Sequence, residues 1–379
     1  MNSIERVRMA LAFQETDRVP IGEFVIDCDI AGRILGRPTY IRDKVRTQVA
    51  FWEGRRDEVV AGLIQDLPEL YRKLDIYDVI PIAKMAPVPP KGYAPECPRK
   101  IADDAWEDSA GRIYRLSAVT NEISMVHDPT EWMREFSPEQ FPADPDVGPP
   151  DESVYEVLDA VQPLLPPDRY LIGDMPMATE QALLGGWQRG LVEIADHPEI
   201  VEACVQSSIA AARKRMEFWR NRGWHGVLNG TDFGHTTGTF VSPAAFRRLF
   251  LPAVQANVQA AHQRGLQFFQ HSCGDNRPIL GDLADAGIDC LQSLQPQAGM
   301  APDFVKQATG NRVAAWGGVD LHVLISGTPD DVRAEVRHTM ETAKRGGGLI
   351  LGASQSIGWG TKYDNFMAML DEYERTRDY

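Results

Sequence analysis

Gln267-Phe268-Phe269-Gln270-His271-Ser272-Cys273-Gly274-Asp275 is the stretch whose reading decides the fold. An aromatic-rich run ends in a His and a Cys two residues apart, followed at once by a Gly, the pattern of a strand terminating in a loop. Side chains alternate along a strand with period two, so His271 and Cys273 point the same way, off the strand's end. An imidazole and a thiolate so placed are two ligands for a soft or borderline cation, zinc above all. The plainer alternative is a core His beside a buried Cys.

Outward from this strand, the rest of the C-terminal part alternates strand and helix. Apolar runs at 170–174, 226–232, 266–271, 288–294, 312–317 and 348–352 read as strands, and 178–196, 197–222, 243–264, 329–345 and 364–377 as helices. Upstream, residues 3–14 carry a helical repeat, 19–27 a first strand, 43–73 two helical patterns and 77–82 a second strand. Eight strands with helical crossovers make an α/β fold, a (β/α)8 TIM barrel, better than a doubly wound sheet. In such a barrel the loops after the strand C-termini carry the chemistry, and His271 and Cys273 fall at that end.

Residues 98–128 break the rhythm. Two β-like runs flank Asp108-Ser109-Ala110-Gly111, which predicts a hairpin or flap inserted after the second strand. Residues 137–151 hold five prolines among acidic residues and read as a surface loop. Residues 1–379 are expected to form a single barrel domain around these insertions.

The chain has 379 residues, 43% of them hydrophobic, enough for either two domains or one large α/β barrel with insertions. Acidic residues outnumber basic ones 54 to 39, a net charge of −15. With no Lys/Arg-rich run, that balance argues against a nucleic-acid or anionic-membrane partner and for a small molecule or another protein. No apolar stretch approaches a membrane span, and the N-terminus lacks a signal-peptide pattern, so a cytoplasmic protein is expected. Five cysteines at 28, 97, 204, 273 and 290 give no disulfide framework, so any cysteine that matters acts as a thiolate.

Position at a strand end ranks the remaining candidates. Asp232 closes the 226–232 run just before Phe233-Gly234-His235, and a carboxylate with an imidazole there can bind metal, orient a substrate or exchange protons. A loop-capping Asp is the plainer reading. Gln355 follows the last strand, and Trp316 and Asp320 bracket Gly317-Gly318 after the seventh. Cys290 lies inside a strand and reads as a buried structural thiol. Glu23 and Cys28, near the end of the first strand, are further ligand candidates. Gly346-Gly347-Gly348 precedes a strand, so it offers no amides at a helix N-terminus to a phosphate, and no Gly-x-Ser-x-Gly elbow occurs.

Over nearly its whole length the chain resembles the uroporphyrinogen decarboxylase superfamily, and its corrinoid-dependent methyltransferase branch above the decarboxylases. The resemblance is carried by Asp232-Phe233-Gly234, Val241-Ser242-Pro243-Ala244-Ala245-Phe246, Leu251-Pro252, His271-Ser272-Cys273-Gly274, Gly317-Gly318-Val319-Asp320, Gly327-Thr328-Pro329 and Gly347-Gly348-Leu349-Ile350-Leu351, in that order. The decarboxylases carry an Arg-Gln-Ala-Gly-Arg segment after the first strand. Here that place reads Asp27-Cys28-Asp29-Ile30-Ala31-Gly32-Arg33, whose acids would repel a polycarboxylate tetrapyrrole. Asp78 sits in a segment similar to an aspartate motif of the decarboxylases.

The methyltransferase branch holds zinc with a His-x-Cys pair and a distant Cys. His271 and Cys273 match the pair, and Gln355 stands where the distant Cys is expected, so either the third ligand comes from Asp232, His235, Glu23 or Cys28, or the metal is weak or absent. The resemblance implies zinc-assisted methyl transfer between a small methyl donor or acceptor and a corrinoid (cobalamin). No Asp-x-His-x-x-Gly segment occurs, so a separate corrinoid protein is expected to carry it. Metal falls to His271 and Cys273, catalysis to Asp232, His235 and Gln355, and cofactor binding to Trp316 and Asp320. Barrels of this superfamily often pair, which admits a homodimer. Trp106 and Tyr114 of the predicted flap would close on an aromatic substrate, pointing to O-demethylation of a methoxylated aromatic. Two other readings stand beside this one: a decarboxylase or lyase of a small carboxylated compound, and a barrel that binds a ligand without turning it over.

Overall fold

The computed structural model describes all residues, 1–379. Seven strands lie side by side and parallel: Val79–Ile80, Tyr170–Gly173, Gly226–Gly230, Gln267–His271, Cys290–Leu294, Ala314–Val319 and Leu349–Ala353. The circle closes through the first predicted strand. Ile21 bridges Leu351 and Gly22 bridges Val79, both parallel, so this short stretch is the eighth stave. The fold is therefore TIM-barrel-like, as the strand–helix alternation predicts.

Alternation along each strand builds two cores. Tyr170, Ile172, Leu228, Phe269, Cys290, Trp316 and Ile350 point inward and form a packed barrel interior. Phe268, Leu291, Leu294 and Ala315 point outward against the helices. Phe269 stands edge-on to both Tyr170 and Trp316, with centroids 5.9 Å apart in each pair, so aromatic rings fill the barrel's middle.

Three expectations change. The predicted 178–196 helix is only Trp187–Asp196. Pro176 and the left-handed Gly185 and Gly186 (φ 81° and 104°) hold the stretch before it as a loop. The 243–264 helix is interrupted: Phe246–Phe250 takes the wider π geometry before Leu251–His262, where Pro252 has no N–H to continue an α-helical ladder. The hairpin at 98–128 is present, with Trp106 opposite Tyr114, but it is the middle of a four-stranded antiparallel sheet that adds Arg99–Ala102 and Glu122–His127. Trp106 and Tyr114 pack on Trp52, each 5.7 Å away between ring centroids. They anchor the insertion to the Lys44–Trp52 helix, which removes the aromatic-substrate argument drawn from them. No helix is long and apolar enough to cross a membrane.

Candidate metal centre

His271 is the last residue of the Gln267–His271 strand and faces inward at its C-terminal end. The chain then turns tightly. Gly274 has φ 80°, and a Cβ there would come within 2.4 Å of the Gly234 backbone, so only glycine fits. Asn276 ties the turn together, its Nδ2 donating to the carbonyls of Ser272, Cys273 and Gly274. The loop after the neighbouring strand is stitched to this one: Ser272 Oγ accepts from the Phe233 N–H at 2.9 Å, and Asp232 Oδ1 from the Cys273 N–H at 2.8 Å. Two loops, each short and cross-bonded, thereby hold three side chains together.

Asp232, His271 and Cys273 place their donor atoms within 4.8 Å of one another. His271 Nε2 lies 3.5 Å from Cys273 Sγ and 3.4 Å from Asp232 Oδ1. Zinc–ligand lengths of about 2.0–2.3 Å imply tetrahedral edges of roughly 3.3–3.8 Å, so the two spacings fit one ion. The trio is reachable: the His271 side chain is 11% exposed and that of Asp232 41%. Phe24 stacks on the His271 ring at 4.3 Å, with the planes 22° apart, and walls it on one side.

The electrostatics point the same way. Burial disfavours a charged imidazole, but the hydrogen bonds and negative charge of Asp232 and Cys273 outweigh it and hold the His271 pKa up at about 9. Burial pushes the Asp232 carboxyl up, and the hydrogen bonds and charge of His271 together with the Cys273 N–H pull it below its ordinary value. Both shifts describe a pocket that favours positive charge between these groups.

The other candidates fall elsewhere. His235 is exposed in a small hairpin, its ring 5.5 Å from Phe240, and it is not one of the three clustered donors. Trp316 is wholly buried in the barrel interior, with its indole N–H on the Gly22 carbonyl, and so lies below the mouth as packing. Asp320 caps the Leu321–Ser326 helix by accepting from the His322 N–H at 2.7 Å. Cys28 opens the Cys28–Leu35 helix with its thiol pushed up to about 12, first by burial and then by Asp43, Asp29 and Asp27. Glu23 is buried, accepts from the Ala353 N–H, and is held protonated up to about 8 by burial. Asp78 is spent at the opposite end of the barrel on Arg6, Arg18 and Ser3.

Gln355 enters through its main chain. Its carbonyl accepts from Gln292 Nε2 at 2.8 Å, and Gln292 Oε1 meets His271 Nδ1. Gln292 was missed in the sequence, although a glutamine at an inward position of Cys290-Leu291-Gln292-Ser293-Leu294 is a signal, since a barrel interior is otherwise apolar.

The uroporphyrinogen decarboxylase (URO-D) family model matches residues 195–376, which carry five of the parallel strands and all three clustered donors. No curated protein matches the chain. Among solved structures, a methyltransferase from Methanosarcina mazei aligns over 99% of this chain and 99% of its own, with TM-score 0.63 at 18% identity. A Xaa-Pro dipeptidase aligns over 60% of this chain and 58% of its own, with TM-score 0.32 at 16% identity. Residues 195–376 are thus similar to the uroporphyrinogen decarboxylase family, and the full-length alignment with the Methanosarcina mazei protein shows the same fold over the whole chain.

Proposed function

We propose that the chain is a zinc-assisted methyltransferase that moves a methyl group between a small substrate and a corrinoid carried by a separate protein. The observation that carries this reading is the convergence of Asp232, His271 and Cys273 at spacings suited to one cation, at the mouth of the barrel. Asp232, from a different strand end than Gln355, supplies the third ligand that a distant cysteine supplies in the methyltransferase branch. Three protein donors of mixed N, S and O type leave a fourth position open, the arrangement of catalytic zinc sites. The full-length alignment with a methyltransferase barrel supports the fold this chemistry requires.

Zinc held there supplies Lewis acidity to an oxygen, nitrogen or sulfur of the bound substrate. The residues of the chain supply the rest. Cys273 and Asp232 bring negative charge that offsets the cation, and the Asp232 side chain, 41% exposed against 11% for His271, is open to an incoming substrate. His271 is pinned between Phe24 and Gln292, so its ring cannot swing when a ligand arrives. The packed barrel interior beneath excludes water from below. A barrel mouth is open enough to admit a second protein face, which suits a corrinoid delivered in trans.

Metal analysis and a methyl-transfer assay test this together. About one zinc per chain, lost in Cys273→Ala, and methylation of free cob(I)alamin from one donor in a panel of methyl ethers, amines and thioethers are the expected results. A metal-free protein with full turnover of a small carboxylated compound would replace the proposal with a lyase.

A further inference from the structure

The Cys290–Leu294 strand alternates until its end and then does not. Cys290 faces the barrel interior and Leu291 the helices. Gln292 faces inward to His271, and Ser293 should face outward. Instead Ser293 takes φ 77°, the pairing with the next strand skips from Gln292 opposite Trp316 to Leu294 opposite Gly317, and the Ser293 hydroxyl reaches Cys273 Sγ at 3.0 Å. Leu294 then returns to the helix side. A one-residue bulge has turned two consecutive side chains to the same side. Each meets a different one of the clustered donors, and a left-handed backbone at a non-glycine residue is strain of the kind kept at functional sites.

The amide of Gln292 can be oriented from its partners. Gln355 O is a main-chain carbonyl and can only accept, so the atom facing it is the Nε2 amide. The oxygen then faces His271 Nδ1, which must carry a proton. A neutral ring protonated at Nδ1 has its lone pair on Nε2, the nitrogen that faces Asp232 and Cys273.

We infer that the Gln292–Ser293 bulge is a positioning device for the metal centre: Gln292 locks His271 in the tautomer that offers Nε2, and Ser293 tempers the Cys273 thiolate by donating a hydrogen bond to it. The inference rests on the metal reading above and adds two residues and a role for each. A thiolate that accepts a hydrogen bond gives less electron density to its metal, which leaves the metal a stronger Lewis acid toward substrate. The Gln355 carbonyl anchors the device, so the position that lacks the branch's third cysteine is used in another way.

The test uses the full chain. Zinc affinity is measured by competition with a chromophoric chelator, histidine protonation by long-range 1H–15N NMR on zinc-loaded protein, and sulfur donation by the charge-transfer band of the Co(II)-substituted protein. Gln292→Leu is expected to weaken zinc about 10–100-fold and to lose the Nδ1–H signature of His271. Gln292→Glu, whose carboxylate accepts the same proton, is expected to restore most of that affinity. Ser293→Ala is expected to keep zinc and shift the cobalt–thiolate band to lower energy. A Gln292→Leu protein with wild-type zinc affinity and an unchanged tautomer overturns the role of Gln292, and a superimposable cobalt spectrum in Ser293→Ala overturns that of Ser293. If Gln292→Leu fails to fold, Gln292→Glu and Ser293→Ala decide alone. Wild-type protein that takes no zinc overturns the metal reading and this inference together, whereas zinc in the wild type with indifferent variants overturns only the inference.

Discussion

Asp78 and Asp232 stand at opposite ends of one barrel in opposite surroundings. Asp78 is fully buried and fully answered: Arg6 Nη1 at 2.6 Å, Arg18 Nη1 at 2.8 Å, Ser3 Oγ at 2.8 Å and the Ile21 N–H at 3.1 Å. Asp232 is 41% exposed on its side chain and faces an imidazole and a sulfur with room for an ion between them. One carboxylate closes the floor of the barrel by joining the first helix to the strand ends. The other is left open at the mouth. In barrels of this kind the bottom face serves stability and the top face chemistry, and here each face uses the same functional group by changing what surrounds it.

The largest effect should come from the floor. Asp78→Ala leaves Arg6, with a side chain only 5% exposed, buried without its inner partner, and breaking a buried pair costs about 3–5 kcal/mol. Chemical denaturation should show that loss while the folded fraction binds zinc as before. A variant that kept its stability and lost its metal would erase the division of labour between the two ends.

Glu23 sharpens the comparison, because it is a third carboxyl, buried near the mouth with no cation beside it. Its pKa is raised from 4.5 to about 8, first by burial, against the Ala353 N–H that favours the charged form. The folded state therefore holds a proton that the unfolded state has released, and stability falls as pH rises from about 4.5 to 8 and levels above that. At 1.36 kcal/mol per unit of pKa, a few kcal/mol are at stake over that window. Denaturation midpoints across pH 5–8 should slope downward in the wild type and lose that component in Glu23→Gln. An identical slope in both would show that Glu23 ionises freely.

At the mouth itself, Cys273→Ala should weaken zinc by about 100-fold, or ~2.7 kcal/mol, while the metal-free protein unfolds near the wild-type midpoint. Cys273 is a partly exposed loop residue whose main-chain N–H, kept in the alanine variant, donates to Asp232. Loss of folding in the absence of metal would place Cys273 with Asp78, among the residues that support the barrel.

The sequence revealed the barrel because six of its eight staves are apolar runs alternating with helical stretches from residue 170 on, and it paired His271 with Cys273 because period two fixes neighbours on one side. Asp232 was legible as a strand-end carboxylate, and only the cross-bonding of two loops made it a partner of that pair. Trp316 was read as a mouth residue on the assumption that its strand ends at Gly317. The strand runs on to Val319, which leaves the indole one layer down in the core. Gln292 follows the alternation and could have been read as an inward polar residue, whereas Ser293 was illegible for the opposite reason. A bulge breaks the very alternation from which facing is inferred, and nothing in Cys290-Leu291-Gln292-Ser293-Leu294 marks where it falls.

That bulge also offers the smallest test. Ser293 holds φ 77° without being a glycine, at a cost of the order of 1 kcal/mol that glycine would not bear. Ser293→Gly removes both the strain and the hydroxyl on Cys273. If the strain is kept for the sake of the metal centre, the variant should unfold about 1 kcal/mol later than wild type in chemical denaturation of the metal-free protein. The gain should be smaller if the freed glycine adds disorder to the unfolded chain. It should also share the cobalt band shift of Ser293→Ala, because both lack the hydroxyl. A more stable protein with an altered thiolate would mean that the mouth gives up stability for its chemistry, as the floor around Asp78 does not. A less stable one would mean that the Ser293 side chain supports the fold, and the contrast between the two ends would rest on Asp78 and Asp232 alone.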